Sequence, residues 1–152
     1  MQARVAAAAV TFTELPAGML DDGTFAGTAA KEIEEECGLK VPESELINLS
    51  ALALSEQQAA ANESDPGVKL GEGIYPSPGA CDEFIPIFLY QKKVSRNEIE
   101  EWQGKLTGLR EEGEKITLKI VKLQDLWKEG ARDAKALSAL ALYTSLKQNG
   151  NI

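Results

Sequence analysis

Histidine is absent from the 152 residues. That absence removes Ser-His-Asp triads, Cys-His dyads and histidine-ligated zinc from the possible chemistries. Cysteine occurs only as Cys37 and Cys81, too few for a disulfide framework. Without a secretory context this points to a reducing compartment, the cytoplasm. No apolar run approaches the roughly 20 residues that cross a bilayer, so no membrane partner is expected. Within Met1–Val10 the segment Ala6–Ala9 is too short and too weakly apolar for the core of a signal peptide. Positive charge is also short: 16 Lys and Arg against 24 Asp and Glu give a net charge of −8. That balance argues against non-specific nucleic-acid binding. Chemistry is left to carboxylates, hydroxyls, lysines, arginines, backbone groups or a bound metal.

The composition present, 43% apolar and 26% charged, suits one globular domain over residues 1–152, with no internal repeat. Val10–Leu15 alternates as a strand and is broken by Pro16-Ala17-Gly18. After a loop over Met19–Gly27, the pattern predicts a helix over Thr28–Cys37. It is capped by Gly27 or Thr28, stopped by Gly38, and turns Ala29, Ala30, Ile33 and Cys37 to the core. Strands are expected over Leu46–Leu54, Phe84–Gln91 (with Pro86 marking a bulge or edge) and Lys115–Lys122. Residues 55–73, poor in apolar side chains, are expected to be a mobile surface insertion. Tyr75–Asp82 reads as a turn, and Asn97–Gln103 as a short helix. Asp133–Lys147 reads as a helix with Leu137, Leu140, Ala141 and Thr144 on one side. This order predicts an α/β (α+β) fold, a mixed β-sheet sandwiched between helices.

The most informative stretch is Lys31-Glu32-Ile33-Glu34-Glu35-Glu36-Cys37-Gly38-Leu39. Glu32, Glu35 and Glu36 stand at i, i+3 and i+4, which places three carboxylates on one helix face. Like charges at this spacing destabilise a helix, more so towards its negative C-terminal end. One explanation is a solvated acidic face. The other is a hard divalent cation such as Mg²⁺ or Mn²⁺, which takes oxygen ligands and reverses the sign of the repulsion.

Gly18 followed by this stretch resembles the Nudix box, G-x5-E-x7-R-E-U-x-E-E-x-G-U with U aliphatic. Glu14-Leu15-Pro16-Ala17-Gly18-Met19-Leu20-Asp21, the Tyr75–Glu83 turn and Gly104–Glu114 are similar to the ADP-sugar diphosphatase branch of that superfamily. The resemblance covers nearly the whole chain. Two features depart from the pattern. Lys31 occupies the place of the box arginine, and 12 residues rather than 13 separate Gly18 from it. Lysine keeps the charge but loses the planar bidentate fork.

The resemblance implies a Nudix fold and metal-dependent hydrolysis of an ADP-sugar, ADP-ribose or ADP-glucose, to AMP and a sugar phosphate. It implies Mg²⁺ or Mn²⁺ held by Glu32, Glu35, Glu36, Glu83 and the Ala17 carbonyl. Glu112 or Glu114, in the Gly-bounded loop, would take the proton of the attacking water, with Glu35 beside the metal. A base on a mobile loop would close only over substrate and metal. Arg4 and Arg110 are the candidate phosphate ligands. Relatives in the branch form homodimers and carry an N-terminal strand domain, which the resemblance implies this chain lacks. Other readings are a different nucleoside diphosphate derivative as substrate, or a nucleotide-binding module with little catalysis. Trp102 and Trp127 are expected in core packing or a dimer contact, Cys37 in the core and Cys81 in a turn.

Overall fold

The computed structural model describes residues 1–4, 7–20, 23–55 and 71–152, excluding the side chains of Ala9, Val10 and Glu112. Most of the expected insertion, together with Asp21 and Asp22, lies outside the described residues. The elements are β1 (Gln2–Arg4), β2 (Ala9–Phe12), α1 (Phe25–Cys37), β3 (Ile47–Asn48), α2 (helical over residues 49–55) and β4 (Phe88–Leu89). They continue as α3 (Arg96–Trp102), β5 (Leu106–Thr107), β6 (Ile116–Thr117), α4 (Leu126–Glu129) and α5 (Ala134–Gln148).

The fold is α+β, but the expected mixed sheet is not what the strands build. Among the described residues they form three antiparallel pairs, β1–β2, β3–β4 and β5–β6. Local competition for backbone groups explains why each expected strand is short. At Asn48 the side-chain Oδ1 accepts from Ala51 N at 2.9 Å. This is an N-cap, so the expected strand over Leu46–Leu54 turns into α2 after two residues. In Phe84–Gln91 the chain pairs at Ile85 with Ile74 and again at Phe88–Leu89. Pro86 between them has no N–H to give. The Lys115–Lys122 strand pairs with the β5 segment no further than Leu118, which exchanges backbone bonds with Gly104 and Lys105. Beyond it, Ile120 N donates to the Gln103 side chain at 2.9 Å and leaves the ladder.

Helix α1 starts three residues before the expected Thr28. Its N-cap is Thr24, whose Oγ1 accepts from Gly27 N at 2.9 Å and donates to Glu43 Oε1 at 2.5 Å. Its end is as expected. Gly38 is left-handed (φ 68°), and its N–H returns to the Glu34 carbonyl at 2.8 Å.

The core gathers Leu49 from α2, Ile87 before β4 and Leu146 from α5, with Ile47, Ile74, Ile85, Leu89, Leu142 and Tyr143 packed around them. The inner face of α5 is therefore Ala136, Ala139, Leu142, Tyr143 and Leu146 rather than the expected Leu137, Leu140, Ala141 and Thr144. Leu137 is 41% exposed. Trp127 is an exposed residue under the Lys128 ammonium, not a core residue, whereas Trp102 is half-buried. Cys37 is half-buried and Cys81 exposed in its turn.

Candidate functional site

The Leu15–Gly18 turn lies against the acidic face of α1. Ala17 N donates to Glu36 Oε2 at 3.1 Å. Gly18 meets Glu32 so closely that a Cβ at Gly18 would overlap its carboxylate. Glycine is needed here for the approach of a side chain, not for an unusual backbone angle. Glu36 is the one buried residue of α1, at 6% exposure. Burial pushes its carboxyl up to about 7. The Ala17 hydrogen bond opposes this, and the charges of Glu114, Glu32 and Glu14 add to it. A buried carboxylate raised further by three other acids is an arrangement that a cation would relieve.

The end of α1 is tied to the loop that follows β5. Thr107 Oγ1 donates to the Glu36 carbonyl at 2.5 Å, and Gly108 N to the Glu35 carbonyl at 3.3 Å. Those carbonyls have no partner within the helix, so the loop completes the helix end. The loop also closes on itself. Leu109 N donates to Glu114 Oε2 at 3.0 Å and Glu114 N to the Leu109 carbonyl at 3.2 Å, between left-handed Gly108 and Gly113. Glu114 is thereby held near enough to raise the carboxyl of Glu36. The Glu112 backbone belongs to this turn, and its side chain lies outside the described ones.

A cavity of about 610 Å³ opens beside the turn. Arg4, Ala17, Gly18, Glu32 and Glu83 line it, so it brings together four of the residues singled out from sequence together with the glycine that opens the motif. Phe25 and Phe84 form another part of its wall, with ring centroids 5.8 Å apart. Glu36 faces a second, apolar cavity of about 300 Å³ on the other side of residues 14–16. Glu35 stands near Lys31, 3.7 Å away in an i, i+4 pair. Arg110 is exposed and lines neither cavity.

Three residues of the site carry no site role in the sequence reading: Glu14, Asp133 and Lys135. Glu14 bonds Arg4 Nε at 2.7 Å and Lys135 Nζ at 3.4 Å, and Lys135 Nζ is 3.0 Å from Asp133. Arg4 is thus a neutralised cation, its guanidinium pushed up chiefly by its hydrogen bond to Glu14. The sequence signal for Asp133 was its place at the head of a helix. That it also reaches Leu15, 118 positions away, is a tertiary fact.

The donors fit a hard divalent cation in kind, being carboxylate and backbone oxygens. They do not yet close around one point. Among the described residues no three acidic side chains converge as a ready metal cluster.

Over 139 residues the chain is 42% identical to a curated protein of Arabidopsis thaliana, Nudix hydrolase 14, chloroplastic. The similarity supports the Nudix superfamily. The match takes in 90% of this chain and 40% of that Nudix hydrolase, so the chain spans about two-fifths of its relative's length. No family model and no solved structure matches. The α+β arrangement is consistent with a Nudix domain, and no helix among the described residues is long and apolar enough to cross a membrane.

Proposed function

We propose that this chain hydrolyses the diphosphate of ADP-sugars, ADP-ribose or ADP-glucose, releasing AMP and a sugar phosphate. The similarity to a Nudix hydrolase over nine-tenths of the chain supports the hydrolytic part of this reading, and the Glu14–Asp21, Tyr75–Glu83 and Gly104–Glu114 motifs support its ADP-sugar part. The turn that sets Ala17 and Gly18 against Glu36 and Glu32 supports it. In the proposal Glu32 and Glu36 are the principal ligands of Mg²⁺ or Mn²⁺, joined by Glu35, Glu83 and the Ala17 carbonyl. The cation, when bound, neutralises the diphosphate and acidifies a water. Glu112 or Glu114 takes the proton of the attacking water. The oxygen adds to one phosphorus, and the bridging P–O bond breaks with its electron pair leaving on the other phosphate. Arg4 and Arg110 bind the phosphates, and a diphosphate reaching Arg4 competes with Glu14. Another nucleoside diphosphate derivative is the alternative substrate, and a substrate panel decides it. A cytoplasmic location belongs to the proposal, and light scattering checks the proposed homodimer.

The deciding assay is turnover of ADP-ribose and ADP-glucose with Mg²⁺ or Mn²⁺, repeated with Glu36→Gln. A loss of about 100-fold or more in kcat is expected, and full activity in the variant overturns the ligand assignment. A second reading, nucleotide binding with little catalysis, is favoured by Lys31. Its side chain is 67% exposed, and its ammonium stands 3.7 Å from Glu35 and gives no bidentate grip. Calorimetry that shows ADP-sugar binding without product would establish it.

A further inference from the structure

We propose that Asp133, at the head of α5, is a positioning residue for the cation site: it fixes the turn that carries Ala17 and Gly18. The inference rests on the metal-dependent reading above.

Asp133 is 4% exposed. Its Oδ1 accepts from Lys135 N at 3.0 Å, the N-cap bond of α5, and meets Lys135 Nζ at 3.0 Å. Its Oδ2 accepts from Leu15 N at 2.9 Å. The cap needs only one oxygen, and serine or asparagine would supply it as well. The second oxygen therefore serves Leu15. Two residues on, Ala17 N is bonded to Glu36, and Gly18 then lies against Glu32. Pro16 between the two bonded N–H groups has no donor of its own. Residues 15–18 are thus pinned on one side by Asp133 and on the other by the two acids proposed to hold the cation. A buried carboxylate is tolerated only when its oxygens are satisfied. Here three donors do so, Leu15 N, Lys135 N and Lys135 Nζ. Groups that orient metal ligands from behind typically carry about 10- to 100-fold of metal affinity.

The test measures Mn²⁺ affinity by the paramagnetic signal of the free ion, and thermal midpoints in EDTA and in Mn²⁺, using the full chain. Asp133→Ser keeps a cap and loses the reach to Leu15. Mn²⁺ binding is expected to weaken by about 10-fold or more, with a smaller Mn²⁺-induced rise in midpoint. Asp133→Asn, the isosteric variant, covers the case in which serine fails to fold. Its neutral amide accepts more weakly, and an intermediate loss is expected. Leu146→Ala is the control for general destabilisation of α5. Its midpoint falls in EDTA while Mn²⁺ affinity stays within about twofold of wild type. Wild-type Mn²⁺ affinity in the folded Asp133 variants overturns the inference alone. Failure of the wild-type chain to bind Mn²⁺ overturns the metal-dependent reading and the inference with it.

Discussion

Glu36 shows how a single carboxylate is held at a cost. Buried beside Glu32, Glu14 and Glu114, it has a folded-state value of about 7 against an ordinary 4.5. The folded state therefore binds a proton that the unfolded state releases as pH rises from about 4.5 to 7. Metal-free protein should lose up to roughly 3 kcal/mol of stability across that interval and level off above it. Denaturant titrations in EDTA at pH 5 and pH 8 check this, and Glu36→Gln should flatten the difference and raise stability at pH 8. Gly18 makes a complementary case. The atoms nearest an added Cβ are the Oε1, Cδ and Cγ of Glu32, all of one flexible side chain, so Gly18→Ala should leave the fold within about 1 kcal/mol of wild type while pushing Glu32 aside. If Glu32 is a ligand, kcat falls by about 10-fold or more.

At the scale of elements, the chain is decided by caps as much as by hydrophobic period. Gly38 and Asp133 were legible as helix ends from their residue types and places. Thr24 and Asn48 carry the same chemistry, but Thr24 lies four residues before the expected helix start at Thr28 and Asn48 inside an apolar run. Alternation in Leu46–Leu54 looked like a strand because periodicity does not register that Asn48 prefers to bond Ala51 N. Asn48→Ala should cost about 1 kcal/mol. Far-ultraviolet circular dichroism at a fixed denaturant concentration would register the earlier loss of helix. In α5 the helical run was legible, but the inward face was not. Leu and Ala lie all round it, and contacts with Leu49 and Ile87 alone choose Leu146 and its neighbours.

For the whole molecule, the core is one junction of three distant pieces, Leu49, Ile87 and Leu146. Leu146→Ala should therefore lower global stability by about 2–5 kcal/mol, seen as a shift of the whole denaturation midpoint rather than fraying of the last helix. The acid cluster on α1 was readable in the sequence because its spacing lies within one turn. The ionic network Arg4–Glu14–Lys135–Asp133 was not, because it joins positions about 120 residues apart. The division of the expected single sheet into three strand pairs was not legible either, since pairing between separate strands has no signature in local alternation.

The ties from Thr107 and Gly108 to the last carbonyls of α1 join two parts of the proposed site. The helix bearing Glu32 and Glu36 and the turn bearing Glu112 and Glu114 share a backbone seam. A displacement of one carries the other with it. In the proposed reading, the spacing between the carboxylates offered to a cation and the loop glutamates offered to a proton is therefore already built into the folded chain.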